Sequence, residues 1–133
     1  MFSTVAVAME NSSQDGLIIP GIGMIAVGLL FKVGAVPFHQ WVPDVYQGSP
    51  TPLTAFMSAA TKVAAFGALL RVFYVAFGGM RWDWRPMMWV IAALSMVIGS
   101  LLAVTQTDMK RMLAFSTVAQ MGFMLLALVA GVV

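Results

Sequence analysis

Apolar residues fill most of this chain in long runs, and the polar residues gather into a few short stretches between them. The first long run covers about residues 17–36, long enough for one helix at the ~20 residues a bilayer core requires. Further runs cover about 53–77, 87–105 and 112–133. Between them, Glu10–Gly16 reads as an exposed loop, Gly78–Pro86 as a polar turn carrying Arg81, Asp83 and Arg85, and Gln106–Asp108 as a third connection. The stretch from His39 to Thr54 is different. Pro43, Pro50 and Pro52 interrupt regular helix there, while His39, Trp41, Asp44 and Tyr46 suit a membrane–water interface. The pattern predicts an all-α, polytopic transmembrane bundle of about four spans. Small residues at four-residue spacing, Ala60, Ala64 and Ala68 on one span and Ser95 and Gly99 on another, would let helix backbones approach closely. Positive residues are balanced between the two sides, so charge sets no orientation.

Composition narrows the class. Of 133 residues, 61% are hydrophobic and 9% charged, against about 25% charged in soluble domains. A net charge of +2, scattered along the chain, argues against a nucleic-acid partner. The absence of cysteine excludes disulfides, thiolate-bound metals and cysteine-held iron–sulfur clusters. Residues 1–9 lack the basic start and small-residue cleavage site of a signal peptide. One histidine and no acidic cluster make a metal site unexpected.

Two lysines stand inside the apolar runs. Lys62 lies near the middle of its run, about 15 Å from either end at 1.5 Å per residue. An ammonium at that depth costs roughly 2.5–3.5 kcal/mol on insertion scales. In apolar surroundings a lysine can accept and release a proton, which a surface lysine does not readily do. The plainer alternative is a structural lysine paired to a carboxylate on another chain. Lys32 lies closer to the end of its run and could reach the interface by extending its stem. Against that stands Pro37, whose ring would clash with the carbonyl four residues earlier, at Val33. Gly34 loosens the same turn, and a helix weakened there would leave free carbonyls beside Lys32, as in the broken helices of transporters. His39 titrates near neutrality and could pass protons between a lysine and water, or could simply be an interfacial histidine bonded to backbone. Asp44 and Asp108 read as caps or interfacial anchors, Lys110 and Arg111 as a helix start, and the methionines and phenylalanines as packing.

The segment FKVGAVPFHQWVPDVYQGSPTP at 31–52, with TKVAAFGALLRVF at 61–73 and LLAVTQTDMKRMLAFSTVAQMGF at 101–123, closely resembles the subunit N family. These are antiporter-like subunits of the proton-pumping NADH:quinone oxidoreductase, respiratory complex I. The subunit 2 family of the photosynthetic relative is similar in the same order and spacing. The resemblance covers about residues 17–133. It implies a longer antiporter-like fold of about fourteen spans with inverted repeats, each containing a broken helix with a lysine near the break. By motif match Lys32 is the lysine of the first broken helix, Lys62 that of the next helix, and His39 the histidine closing the motif. The family's partner glutamate and later lysine have no counterpart, and Glu10 does not replace the former. Gln120 stands where many bacterial members carry histidine and photosynthetic members glutamine.

The expectation is therefore a membrane subunit of a proton-translocating oxidoreductase, spanning 17–133 after a loop at 1–16, and forming the central part of a longer protein. Lys62, Lys32 and His39 would relay protons, with no cofactor or redox centre in this chain. Its expected partners are other complex I membrane subunits and lipid, in a bacterial inner membrane or, alternatively, a thylakoid. A stand-alone Mrp-type cation/proton antiporter and a structural membrane scaffold are the rival readings.

Overall fold

The computed structural model describes residues 15–131 together with Thr4 and Val7; Glu10 and most of the expected 1–16 segment lie outside the described residues. From Asp15 onward the described residues form helices in succession. They are α1 (Asp15–Val33), α2 (Trp41–Gly48), α3 (Thr51–Ala76), α4 (Arg81–Val104) and α5 (Met109–Ala130). Among the described residues there is no strand. Among them four helices are long and apolar enough to cross a membrane, and α2, at 8 residues, is not. The all-α polytopic expectation holds.

Local chemistry explains most of the boundaries. Pro52 sits at the start of α3, where a missing N–H has no helical partner to lose. Asp108 caps α5, its Oδ1 accepting from the Lys110 amide at 2.8 Å and the Arg111 amide at 3.3 Å. The helix α4 begins at Arg81, several residues before the apolar run that announced it. Asp83 falls in its first turn, at the positive end of the helix dipole. Trp84 closes the corner by donating from Nε1 to the Phe77 carbonyl at 3.1 Å and packing on Phe73 with ring centroids 4.9 Å apart. Hydropathy missed this turn because its polar side chains can stay in water while their backbone is already helical.

The core forms where α1, α3, α4 and α5 meet, with Leu30, Leu69, Phe73, Met88 and Leu125 fully buried. The helices α4 and α5 touch at their glycines. A Cβ on Gly99 would lie 2.7 Å from the Ala119 amide nitrogen, and one on Gly122 would lie 2.7 Å from the Ala92 carbonyl. The Ser95/Gly99 spacing is thus a helix–helix contact. Ala60, Ala64 and Ala68 are exposed and face away from the other described helices.

Candidate functional site: a helix break facing a buried lysine

Gly34 makes the break. Its φ of +80° lies in the left-handed region that glycine enters without penalty. The Gly34 amide donates to the Phe31 carbonyl and the Ala35 amide to the Leu30 carbonyl, each at 3.1 Å, which is a Schellman ending of α1. Pro37 had been expected to break a running helix. It lies beyond the end already set by Gly34, after a cis Val36–Pro37 peptide. Pro43 does not interrupt helix either. It occupies the first turn of α2, where amides have no intrahelical acceptor.

A break inside a bundle leaves backbone groups that must find partners. The Val36 amide donates to Ser95 Oγ at 2.9 Å, and the Ser95 hydroxyl donates in turn to the Ile91 carbonyl at 2.7 Å. Trp41 Nε1 donates to the Phe31 carbonyl at 2.9 Å. The Val33 carbonyl accepts from Lys62 Nζ.

Lys62 is 3% exposed and sits about 16 Å into α3 at 1.5 Å per residue, directly after a widened π-helical turn at Met57–Thr61. Its Nζ lies 5.9 Å from the centroid of the Trp41 ring, within cation–π range. A Cβ at Gly34 would come within 3.1 Å of Nζ and 2.6 Å of Val42 Cγ2, so only glycine leaves the amine its place. Ser58, one helical turn before Lys62, donates to the Ala55 carbonyl at 2.8 Å and not to the lysine. The lysine's partners among the described residues are a carbonyl and an indole, neither of them anionic. A carbonyl can accept from an ammonium or from a neutral amine, more strongly from the ammonium.

The three expected relay residues are placed differently from one another. Lys62 is at the break. Lys32 is exposed, because consecutive helical residues point about 100° apart and its neighbour Val33 faces inward. The carbonyl expected to lie beside Lys32 is therefore held by Lys62 instead. His39 is 9% exposed, edge-on to Phe115 with ring centroids 6.2 Å apart, and its Nδ1 has no hydrogen-bond partner among the described residues. It lies in the connection between α1 and α2. Burial lowers its proton affinity from the ordinary histidine value, and the nearby Pro37 backbone acts more weakly the other way. Sequence reasoning had freed the Val33 carbonyl but given it to Lys32, and it missed the hydrogen-bonding role of Ser95. It also missed the ion pair of Asp44 with Arg111 at 3.0 Å, whose members stand in separate motifs 67 residues apart. Among the described residues no three His, Asp or Glu side chains gather to hold a metal.

Residues 1–133 match the family described as NADH:quinone oxidoreductase/Mrp antiporter, TM. The chain belongs to that family. Within the NADH:quinone oxidoreductase/Mrp antiporter family it is similar to NADH-quinone oxidoreductase subunit N of Nocardioides sp., 66% identical over 116 residues that make up 87% of this chain and 22% of the relative. Subunit N of Acidothermus cellulolyticus is 58% identical over 97% of this chain and 25% of the relative. A chain of respiratory complex I from Thermus thermophilus, solved with bound aureothin, is similar in structure. It gives a TM-score of 0.76 at 44% identity, over 89% of this chain and 26% of that one. The chain thus spans about a quarter of the length of the curated relatives it matches. Family membership and four apolar helices make it an integral membrane protein.

Proposed function

We propose that this chain acts within the proton-translocating membrane subunit of an NADH:quinone oxidoreductase, residues 17–133 being part of an antiporter-like domain. Lys62 is the central proton carrier, Lys32 a switch whose ion pairing sets the local field, and His39 an accessory shuttle toward water. The observation that carries this reading is a lysine buried in a spanning helix and bonded to a carbonyl that a break in another helix has left free. Charges act over long distances in low dielectric, so a change at Lys32 biases whether Lys62 keeps its proton. Electron transfer and quinone reduction occur elsewhere in the assembly, and this chain contributes charge movement only. Its partners are the other membrane subunits of that complex and the surrounding lipid. The bacterial subunit N relatives favour a bacterial plasma membrane over a thylakoid.

The test is Lys62→Ala in the full subunit within an assembled complex reconstituted into vesicles. Quinone reduction should continue or slow while proton uptake driven by it disappears. Full pumping by an assembled Lys62→Ala complex refutes the relay. The family description also names Mrp antiporters. Sodium/proton exchange by the protein without any redox partner would favour that reading instead.

A further inference from the structure

The short helix α2 cannot hold its own position. Eight residues are far below the length at which an isolated helix is stable, and its N-cap, Gln40, makes no side-chain hydrogen bond to it. It is held against α5 in two ways. Val42 and Tyr46 are buried in one cluster with Ala114 and Val118. Beyond them lies a polar clasp. Arg111 Nη1 donates to Asp44 Oδ1 at 3.0 Å and to Gln47 Oε1 at 2.9 Å. Gln47 Nε2 donates in turn to Asp108 Oδ2 at 3.4 Å, and Lys110 Nζ donates to the Ser49 carbonyl at 3.3 Å. Asp108 therefore divides its oxygens, Oδ1 starting α5 and Oδ2 engaging α2.

Two cations in the first turn of α5 oppose its helix dipole and weaken that helix taken alone. Both reach across to α2. Four residues on from Arg111, Phe115 packs against His39, at the other end of the same segment. One face of α5 thus grips the segment near both of its ends. We infer that Asp44, Gln47, Asp108 and Arg111 form a positioning clasp. It fixes α2 on α5, and through α2 it fixes Trp41 and the break that presents its carbonyl to Lys62. This rests on the relay role proposed for Lys62. The four are positioning residues, since none touches Lys62.

Asp44 and Arg111 have side chains 73% and 33% exposed, and exposed pairs contribute about fivefold or less to an equilibrium constant. Loss of the clasp should therefore loosen α2 without unfolding the subunit. In the full subunit within its assembled complex, Asp44→Asn and Arg111→Met should each speed hydrogen–deuterium exchange across Trp41–Gly48, by about fivefold. Each should also lower protons moved per quinone reduced while quinone reduction persists. The charge-swapped pair, Asp44→Arg with Arg111→Asp, should recover both readouts. Gln47→Ala is the milder variant if either single change prevents assembly, with the same expectation at smaller size. Unchanged exchange in α2, or lowered pumping that the swap does not restore, overturns the clasp. Lys62→Ala run in parallel separates the two ideas. If that variant pumps fully, the relay fails, while the exchange measurement still decides whether the clasp holds α2.

Discussion

Burying an ammonium in a span requires compensation that the sequence around Lys62 does not supply. Its apolar helical neighbours are alanine, valine and phenylalanine, and the two nearby hydroxyls, Ser58 and Thr61, both donate to carbonyls of their own helix. The compensation comes from the Val33 carbonyl and the Trp41 ring, both brought in by the break. Gly34 is the residue on which this depends. Gly34→Ala would add a methyl 2.6 Å from Val42 and 3.1 Å from the lysine amine, at a φ of +80°. Strain of this kind costs about 1–3 kcal/mol, so the variant should show a lower Tm of the purified complex and less assembled protein. An unchanged Tm and yield would contradict the fit described here. Lys62 itself was legible in the sequence, because a charge in an apolar run stands out whatever the fold. The Val33 carbonyl was legible too, four residues before Pro37, but it was given to Lys32, because nothing in the sequence shows which amine will reach it. Lys32 looked similar by the same criterion, and only helical phase, which turns it outward next to buried Val33, separates the two.

Elements show the same division. The spans were readable from their apolar lengths, and a break before α2 was expected, but its mechanism was misassigned to Pro37. Proline is the conspicuous breaker in a sequence, and Gly34 was read only as loosening the same turn, whereas its positive φ ends the helix before the proline is reached. The beginning of α4 was missed for a related reason, since Arg81, Asp83 and Arg85 lower hydropathy without stopping a helix. Ser95 had been read as a small packing residue. It also takes the Val36 amide that the break would otherwise leave buried and unpaired. Ser95→Ala should therefore carry the penalty of an unsatisfied buried donor, about 1–3 kcal/mol. Its signature is local. Exchange of the Val36 amide should accelerate by about tenfold or more, while peptides from α5 keep their protection. Acceleration spread equally over all helices would mean that Ser95 supports packing generally and not the break.

At the scale of the molecule, the break, the buried lysine and the clasp form one connected arrangement. The helix α5 grips α2, α2 carries Trp41 to the lysine, α1 ends on a glycine that leaves room for the amine, and α4 supplies Ser95 to the loose amide. The Ser95 and Gly99 spacing announced a close helix contact without naming the partner, which the structure shows to be α5. The outward direction of Ala60, Ala64 and Ala68 was not legible, because small residues mark a face suited to close approach without naming what approaches. The relatives are about four times as long as this chain. The most direct measurement is therefore of the contact on which the arrangement turns. Magic-angle-spinning NMR of the lipid-embedded full complex, with carbonyl-13C valine and 15Nζ lysine in this subunit, reads the dipolar coupling between the Val33 carbonyl and the Lys62 amine. The account predicts a cross-peak that disappears in Lys62→Ala. A resolved Lys62 resonance with no coupling to Val33 would contradict it.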